Sequence, residues 1–510
     1  MTRQYITTAI DYPNAAPHMG HVLEKVLADV CARWMRLRGD EVRFQIGTDE
    51  HGIKIQQTAE KEKISPKALV DRNVATFMDL YEKLAISFDI FVRTTDRKRH
   101  WPTVIAFWRK LRDAGVLTKR TYTGLYCSGC ERFLMKRELV DGLCPDHQKA
   151  PEEVEEENWF FALSAEEKFL NALLTNKKGD LRIIPASRSR EVLGLIEKGL
   201  VDSSFSRPIT SVSWGIPVPD DESQTMYVWC DALTNYISTL GFFTDDEDCT
   251  WWDGAIVTHV IGKDIARFHA LLWPAMLRNG GMKIPDQLLI HGHLTSDGQK
   301  MSKSIGNVVK PDDVLAKFGG NPDPLRFYLS HEVPVGNDGD FSWKRIEELY
   351  IGVLSNKIGN LLNRVLVLLQ KDGGAFSLQK DDEMTEHISD VWKKFSGEMD
   401  AFDLSKAIGQ AVALAVAGNM EMEKKKPWTL TGEEKTAVLG AIAEKLRHIA
   451  LMLLPFMPST AQQMSMQLGV EYAGEMLKNS FVITEEMKVW GGMKKWTRVG
   501  NPAILFAQLK

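Results

Sequence analysis

Long hydrophobic runs are missing from this 510-residue sequence: it has no stretch of about 18 uncharged apolar residues, which a membrane-spanning helix requires. Cysteine is also scarce, since six in a chain of this length are too few for a disulfide framework. The formal net charge of −5 gives no overall positive excess that would indicate a nucleic-acid partner. The first residues run directly into a strand-like segment, which leaves no room for a targeting peptide. These absences predict a cytoplasmic protein with no membrane partner.

The residues that are present have the composition of a globular chain, 44% hydrophobic and 26% charged, with length for three or more structural units. The first part alternates strand-like segments, rich in β-branched and aromatic residues, with helical patterns. The predicted strands are 5–10, 42–46, 88–92, 226–229 and 256–261, and the predicted helices are 20–38, one opening at Ser65-Pro66, and 264–277. This alternation predicts an α/β fold, a Rossmann-like doubly wound parallel sheet whose site lies at the carboxyl ends of its strands.

The alternation is interrupted once and then ends, which divides the chain into five predicted segments. An irregular stretch at 116–205 indicates an insertion between the two halves of the sheet, 1–115 and 206–290. Segment 291–343 is a loop-rich connection. Beyond it lies a predicted all-α helix bundle over 344–510, with amphipathic patterns at 344–370, 383–399, 404–425 and 432–454.

Three of the six cysteines fall in one short part of the insertion. Cys127 and Cys130 form one pair with knuckle spacing, and thirteen residues later Cys144 and His147 form a second pair. Three thiolates and one imidazole favour tetrahedral Zn²⁺, and four protein ligands leave no position open for chemistry. The spacing therefore predicts a structural zinc knuckle with one Zn²⁺ per chain.

A first short motif, His18-Met19-Gly20-His21, lies between the first predicted strand and its helix. Backbone N–H groups and the helix dipole favour a phosphate at such a position. Gly20 allows close approach of a nucleotide, and the two histidines can donate hydrogen bonds to phosphate oxygens. Taken alone, the motif is equally typical of a histidine that only caps a helix.

A second motif, Lys300-Met301-Ser302-Lys303-Ser304, lies in a loop that contains Gly298. Alone it is typical of a solvated surface loop. Together the two motifs resemble the ATP site of the class I aminoacyl-tRNA synthetases, although Met19 stands where that family usually has Ile. The resemblance implies ATP binding by His18, Gly20, His21, Lys300, Met301, Ser302, Lys303 and Ser304.

This resemblance also implies a reaction, the in-line attack of an amino-acid carboxylate on the α-phosphate of ATP. Catalysis then depends on positioning and on neutralising charge, with His18 and His21 on the phosphates and Lys300 and Lys303 over the leaving pyrophosphate. Mg²⁺ is expected to bind with the ATP, mainly through phosphates and water.

Further segments, at 5–21, 47–52, 227–233 and 259–269, resemble the methionine enzymes of this class. By this resemblance Asp49 takes the substrate ammonium, and the pocket for the side chain is lined by Ile10, Tyr12, Trp229, Ala232, Leu233, Tyr236, Ile265 and His269. An apolar, partly aromatic pocket suits a thioether, and the Tyr12 hydroxyl or His269 can offer the sulfur a weak polar contact. Because one methyl group discriminates by only about 1–3 kcal/mol, we expect homocysteine to be activated as well.

The predicted bundle resembles the anticodon-binding domain of the same family and so implies tRNA(Met) as the partner. Base contacts would come from Asn356, Asn360 and Arg364, with Trp428 stacking on a base. Segment 291–343 would hold the lysine loop and the contact with the tRNA stem. The implied activity is activation of L-methionine with ATP and transfer to the 3′-terminal adenosine of tRNA(Met), with release of pyrophosphate and AMP. The chain ends without the dimerising C-terminal barrel of some members, so we expect a monomer.

Three other functions are compatible with parts of the pattern. Another nucleotidyl transferase could use a His-x-Gly-His site, but the knuckle and the bundle would have no purpose there. A non-catalytic tRNA-binding paralogue predicts damaged motifs, whereas His21, Lys300 and Lys303 are present. A synthetase for leucine, isoleucine or valine needs an editing domain larger than the predicted insertion.

Overall fold

The computed structural model describes residues 1–127, 132–145, 148–176, 181–245, 247–296, 298–300, 308–493 and 495–509. Within these ranges the strands are β1 Arg3–Thr8, β2 Glu41–Thr48, β3 Ile90–Arg93, β4 Leu117–Cys127, β5 Arg132–Leu134, β6 Glu152–Phe161, β7 Arg182–Ile184, β8 Ser203–Ser204, β9 Ser206–Pro208, β10 Pro217–Val218, β11 Asp221–Met226, β12 Ile256–Gly262, β13 Gln287–His291, β14 Leu294–Ser296, β15 Gln299–Lys300 and β16 Gly339–Phe341.

The helices of the described residues follow the strands in alternation up to β16 and dominate the chain after it. They are α1 Met19–Leu37, α2 Ile53–Glu62, α3 Pro66–Lys83, α4 His100–Asp113, α5 Glu167–Thr175, α6 Ala186–Glu197, α7 Val228–Ser238, α8 Trp273–Asn279, α9 Pro311–Lys317, α10 Asp323–Glu332, α11 Trp343–Leu349, α12 Asn360–Gln370, α13 Asp382–Asp400, α14 Leu404–Lys425, α15 Gly432–Leu453, α16 Pro458–Leu468 and α17 Glu485–Lys488. None of these helices combines the length and the apolar character needed to cross a bilayer.

The central element is a six-stranded parallel sheet in the order β3-β2-β1-β12-β13-β7. Strand β1 lies between β2 and β12, with Ile6 paired to both Phe44 and Thr258. The chain therefore builds outward from β1 first on one side and later on the other. Such a switch in direction opens a crevice at the carboxyl ends of the two central strands. The predicted doubly wound sheet is confirmed.

Helix α1 follows β1 and is buried along almost its whole length. The side chains of Val22, Val26, Val30 and Trp34, spaced four residues apart, are all buried, as the pattern predicts. Gly39 stands just beyond the helix with a φ of 93°, a left-handed conformation that suits glycine and ends the helix. The helix is covered by the sheet and by the helical part of the chain, because its residues belong to the core that extends into the bundle.

One local prediction near the site is wrong, and one helix was not predicted. Segment 226–229 is not a strand: β11 ends at Met226 in a small antiparallel sheet with β9 and β10, and Val228 opens α7. A short apolar run has the same composition in a buried strand and in a helix buried on most sides, and α7 is such a helix. The helix α2 was not predicted, because its sequence is mostly polar with only Ile55 and Ala59 buried.

The predicted insertion contains a long antiparallel hairpin. Strands β4 and β6 pair over ten residues, and β5 and β8 flank them. The predicted range also contains β7, which pairs with β13 and forms the edge of the central sheet. The insertion is therefore interrupted by a strand that belongs to the catalytic fold.

The C-terminal part is helical, as predicted. Helix α11 continues through a π-helical segment, Tyr350–Gly359, into α12, and the predicted bounds of the next helices agree with α13, α14 and α15 within a residue or so. The bundle is joined to α1 by buried polar contacts. Arg326 forms an ion pair of 2.7 Å with Asp29 and donates to the carbonyls of Leu84, Pro455 and Phe456.

Candidate active site

A cavity of about 600 Å³ opens between the carboxyl ends of β1 and β12. It is bounded by the residues after β1, the start of α1, the loop after β2, one face of α7 and the segment after β12. All nine residues predicted for the methionine pocket line this one cavity, together with both histidines of the first motif: Ile10, Tyr12, His18, His21, Asp49, Trp229, Ala232, Leu233, Tyr236, Ile265 and His269. The fold thus brings together side chains from five separate parts of the sequence.

The apolar wall is a face of α7. Trp229, Ala232, Leu233 and Tyr236 follow the i, i+3, i+4, i+7 spacing that places side chains on one side of a helix. The indole of Trp229 stacks on the ring of Phe268, with centroids 3.9 Å apart and an interplanar angle of 9°. This face is aromatic at both ends and aliphatic between them, which suits an unbranched thioether.

The neighbours of His269 determine which of its two ring nitrogens carries the hydrogen. Its Nδ1 lies 3.1 Å from the carbonyl of Ile265, which can only accept, so Nδ1 carries the hydrogen. Burial lowers the pKa of His269 to about 4, so the ring is neutral and Nε2 accepts from the Tyr236 hydroxyl at 2.7 Å. The Tyr12 hydroxyl in turn donates to the carbonyl of His51 at 2.7 Å. Tyr12 and His269 both direct their protons to backbone carbonyls, and the contact of either group with sulfur stays a prediction.

Asp49 is held at the cavity by the backbone of β1 and β2. Its N–H donates to the carbonyl of Asp11, whose own N–H donates to the carbonyl of Gly47, both at 2.8 Å. The neighbouring wall carries Lys54, whose Nζ lies 5.6 Å from the centre of the Tyr12 ring. The cavity is therefore lined by a carboxylate, Asp49, and by an ammonium group, Lys54, which lies close to the ring of Tyr12.

His18 and His21 form the N-terminal cap of α1 and stack with ring centroids 3.8 Å apart. The Nδ1 of His18 accepts from the N–H of Gly20, and the Nδ1 of His21 accepts from the N–H of His18, both at 3.1 Å. Burial lowers the pKa of both imidazoles, and that of His21 is lowered further by His18 and Lys25. Each neutral ring then keeps its hydrogen on Nε2, where it can be donated to a phosphate oxygen.

Gly20 is required by this cap. A Cβ at this position would lie 2.9 Å from Cε1 and 3.0 Å from Nδ1 of His18. The ring of His18 would have to move, and its hydrogen bond with the Gly20 N–H would be lost. The glycine of the motif therefore serves the histidine as well as the approach of a nucleotide.

A buried polar cluster connects Lys25 with Asp11, Glu24 and His291. Lys25 donates to Asp11 and Glu24, both at 2.8 Å, and to the carbonyl of Ala9. Glu24 also contacts the His291 ring at 3.2 Å. Burial raises the pKa of Asp11 to about 6, against the opposing effect of Lys25. The cluster ties α1 to the ends of β1 and β13.

Of the lysine motif, only Lys300 lies within the described residues. The backbone of Lys300 pairs with Thr295 in the β14–β15 hairpin, and β14 pairs with β16. Met301, Ser302, Lys303 and Ser304 lie outside the described residues. The structure therefore places the start of this motif on a hairpin after β13 and does not describe its remaining residues.

Two of the four predicted zinc ligands are described. Cys127 ends β4, and both it and Cys144 are buried in one small cluster with Leu134 and Leu139. Cys130 and His147 lie outside the described residues. No group of three metal-binding side chains occurs within the described ranges, which contain only half of the predicted set.

The predicted anticodon residues lie on the bundle. Asn356 and Asn360 are exposed on the helix that includes α12. Arg364 pairs with Glu423 at 2.8 Å, and its guanidinium lies 5.3 Å from the ring centre of Trp428. The Trp428 side chain is 44% exposed, just after the left-handed Lys426 that ends α14. The fold brings Arg364 and Trp428 together, although more than sixty residues separate them in the sequence.

Several polar residues of the cavity were not predicted, namely Asn14, Lys54, Asp264, Arg267 and His293. Arg267 also lies 3.6 Å from Glu138 in the insertion. Lys54 was missed because the helix that carries it was not predicted. For the others, the sequence offers no signal beyond their position near a predicted motif.

The comparisons with known proteins agree with this geometry. The family model described as tRNA synthetases class I (M) matches residues 4–154 and 147–366. A second model, the anticodon binding domain of methionyl tRNA ligase, matches residues 371–509. The sheet, the cavity and the first motif are thus those of a class I aminoacyl-tRNA synthetase.

Relatives matched over nearly the full length of the chain identify the family within this class of synthetases. A methionine–tRNA ligase from Thermosynechococcus vestitus is 37% identical, over 99% of this chain and 97% of its own length. One from Brucella suis is 39% identical over 91% of each chain. The solved Mycobacterium tuberculosis methionyl-tRNA synthetase in complex with methionyl-adenylate matches with a TM-score of 0.89, 34% identity and full coverage of both chains. The chain belongs to the methionine–tRNA ligase family.

Proposed function

We propose that this chain activates L-methionine with ATP and transfers the methionyl group to the 3′-terminal adenosine of tRNA(Met). The observation that carries this proposal is the convergence of the nine predicted pocket residues and of His18 and His21 on one cavity. An apolar wall suits the methionine side chain, and a carboxylate suits its ammonium group. Two imidazoles can donate hydrogen bonds to the phosphate oxygens of an ATP bound beside it.

In the first step a carboxylate oxygen of methionine attacks the α-phosphorus, and the bond to the pyrophosphate oxygen breaks. Asp49 binds the ammonium group and so orients the carboxylate. His18 and His21 donate from Nε2 to phosphate oxygens as charge develops there, with Gly20 letting the backbone approach. Lys300, Met301, Ser302, Lys303 and Ser304 would cover the leaving pyrophosphate. Mg²⁺ bound with the ATP would neutralise phosphate charge.

In the second step a ribose hydroxyl of the terminal adenosine attacks the carbonyl carbon of methionyl-adenylate, and AMP leaves. The bundle would select the tRNA: Trp428 stacks on an anticodon base, and Arg364, Asn356 and Asn360 bond to base edges. Lys424 to Lys426 at the end of α14 add local positive charge for the phosphate backbone.

A structural Zn²⁺ is proposed for the insertion, held by Cys127, Cys130, Cys144 and His147. The described half of the set fits, because Cys127 and Cys144 are buried together in one cluster. The metal would fix the turns around Cys144, where the Gly142 φ of 79° indicates a tight knuckle. Purified protein should contain one zinc per chain, and Cys144→Ser should lose it. A zinc content well below one in undamaged wild-type protein contradicts this site.

The proposed division of labour follows the predicted segments. Segments 1–115 and 206–290, with β7, form the catalytic domain, the rest of 116–205 the insertion over the tRNA acceptor end, 291–343 the lysine loop and stem contact, and 344–510 the anticodon domain. Thiolate ligands favour a reducing compartment, so the cytoplasm is proposed. A monomer is proposed as well, which sedimentation at micromolar concentration tests directly.

The deciding experiment is exchange of pyrophosphate into ATP, followed by tRNA charging, with each amino acid in turn. Methionine should support both reactions and homocysteine only the exchange, at a rate reduced about 10- to 200-fold. Asp49→Asn should raise the methionine KM strongly and leave the ATP KM nearly unchanged. Absence of charging with methionine contradicts the proposed function, and exchange without charging would favour another nucleotidyl transferase.

A further inference from the structure

Asp231 lies on α7 among the residues of the apolar wall, yet its side chain faces the other way. Two residues along a helix correspond to a rotation of about 200°, so Asp231 points to nearly the opposite side from Trp229, and it is not among the residues that line the cavity. The carboxylate is buried, with 1% of the residue exposed. Oδ2 lies 2.6 Å from Nδ1 of His51, and Oδ1 lies 2.5 Å from Nε2 of His100. Both oxygens of a buried carboxylate are thus used to hold two imidazoles.

His51 belongs to the loop that carries Asp49. Its carbonyl accepts the hydroxyl of Tyr12 at 2.7 Å, and its ring makes edge contacts with Trp214 and Trp101, at centroid distances of 5.6 and 6.0 Å. A shift of His51 would therefore move the peptide that holds Tyr12 and, two residues earlier, Asp49.

His100 secures the same helix at its other end. It is the first residue of α4 and is fully buried, and its Nδ1 lies 2.8 Å from the hydroxyl of Ser238 at the end of α7. The imidazole therefore joins α4 to α7 at two points, Asp231 and Ser238. With α7 held in this way, the contact between Asp231 and His51 fixes the loop relative to the helix.

We propose that Asp231 is a positioning residue that sets the distance between Asp49 and the apolar wall of α7, and so selects the length of the substrate side chain. The inference rests on the proposed function, because only a bound amino acid spans both walls. Buried hydrogen bonds to an ionised carboxylate are short and strong, so the spacing resists expansion. His51, in effect, transmits the position of α7 to the loop that binds the ammonium group.

The test compares methionine with ethionine, which is longer by one CH₂ group, in pyrophosphate exchange. Asp231→Asn replaces one acceptor by a donor facing an imidazole and so breaks one of the two bonds. We expect the ratio of kcat/KM for methionine over ethionine to fall about tenfold, since a methylene is worth about 10- to 200-fold in a fixed pocket. The methionine KM should rise, while the ATP KM stays within about twofold of the wild-type value.

Two further variants keep the test valid if Asp231→Asn does not fold. His51→Asn retains a side-chain N–H near the position of Nδ1, whereas His51→Leu has none. The ratio should be closer to wild type in His51→Asn than in His51→Leu. Asp323→Asn is the matched control, because Asp323 is also a fully buried carboxylate but accepts from the N–H of Thr460 at the bundle.

The outcomes separate this proposal from the proposed function. A wild-type ratio in Asp231→Asn, accompanied only by lower stability or an equal rise in both KM values, means that the residue is merely structural and overturns the proposal. Equal ratios in the two His51 variants overturn it as well. Failure of the wild-type enzyme to activate methionine would instead remove the proposed function.

Discussion

Single histidines in the cavity owe their proton positions to fixed neighbours. The Ile265 carbonyl keeps the hydrogen of His269 on Nδ1, while the backbone N–H groups at the start of α1 keep those of His18 and His21 on Nε2. Histidines of both neutral tautomers therefore line one cavity. His269 accepts from the Tyr236 hydroxyl at Nε2, whereas His18 and His21 each carry an Nε2 hydrogen that can be donated.

Methionine binding should be insensitive to pH between about 5.5 and 8. Burial lowers the pKa of His269 to about 4, so its ring stays neutral throughout this range. The stability linked to this group is complete above the pKa of an exposed histidine, about 6.5, and is lost as the pH falls toward 4. Measurement of the methionine KM against pH checks the expectation; a rise with a midpoint near 6.5 would contradict it.

Replacement of Lys54 should slow adenylate formation. Its Nζ lies 5.6 Å from the centre of the Tyr12 ring, and the residue lines the same cavity as Asp49. Under the proposed function, the methionine carboxylate would meet the α-phosphate of ATP in this cavity. We expect Lys54→Met to reduce kcat for exchange about 10- to 100-fold, a loss of about 1.4–2.7 kcal/mol of transition-state stabilisation, and Lys54→Arg to recover part of it. Stopped-flow measurement with saturating methionine tests this, with Lys67→Met, an exposed lysine paired with Asp71, as the control. Equal rates in Lys54→Met and wild type would exclude the role.

The resemblance of the sequence segments to a family predicted many of the side chains that line the cavity, but not their hydrogen-bond partners. Tyr12 and Asp49 were found through the resemblance of their segments to a family. His51, Asp231 and His100 meet only in the folded chain, since they come from three distant parts of the sequence. Lys54 was not predicted because its helix, α2, is mostly polar and shows no clear helical pattern of apolar residues.

Among the elements, α7 is where periodicity was misleading. The run from Met226 to Trp229 has the apolar composition of a strand, and the helix that starts at Val228 is buried on most of its surface. Helix α7 has no exposed side, because even its polar residues are buried, whereas α13 and α14, each with one exposed side, were predicted almost to the residue. Here tertiary burial, not local propensity, decides the structure.

The end of α14 and the helix leading into α12 form the element that should read the anticodon. Trp428 is half exposed and has the guanidinium of Arg364 over its ring. Trp428→Ala should lower kcat/KM for tRNA charging by about 1–3 kcal/mol, or about 5- to 150-fold, because stacking of a base is lost. Pyrophosphate exchange without tRNA should be unchanged, and Trp428→Phe should retain part of the charging. Equal losses in both assays would place the defect in folding instead.

On the scale of the whole molecule, catalytic and helical parts share one core. Buried residues of α1 and of the bundle helices belong to a single continuous cluster. Trp34 of α1 also donates from its indole N–H to Asp400 at 2.8 Å. The sequence predicts each part separately, but nothing in it indicates that Asp29 on α1 pairs with Arg326, nearly three hundred residues later.

Arg326→Met should destabilise the packing of the helix bundle against α1. The guanidinium is fully buried and makes an ion pair and three hydrogen bonds to carbonyls, all of which the variant loses. We expect the free energy of unfolding to fall by about 3 kcal/mol, which is the lower end of the range for breaking a buried ion pair. The loss is at the lower end because Asp29 still forms an ion pair with Arg33.

Urea denaturation of the full chain gives this measurement. Arg345→Met is the control, since Arg345 pairs with Glu332 near the surface and should contribute no more than about 1 kcal/mol. Equal effects in the two variants would show that the buried pair has no special part in joining the bundle to α1.

The buried contacts of Arg326 also bear on the spacing between the bundle and the cavity. Because α1 and the bundle share one core, we expect the span from Trp428 to the cavity to vary little, so that the length of a bound RNA would matter as well as its sequence. A transcript with the correct anticodon but one extra base pair in the anticodon stem would reach the bundle and overshoot the cavity. This transcript should bind with normal affinity but be charged with methionine slowly. The distance between the anticodon and the acceptor end would then be an identity element that depends on no single nucleotide.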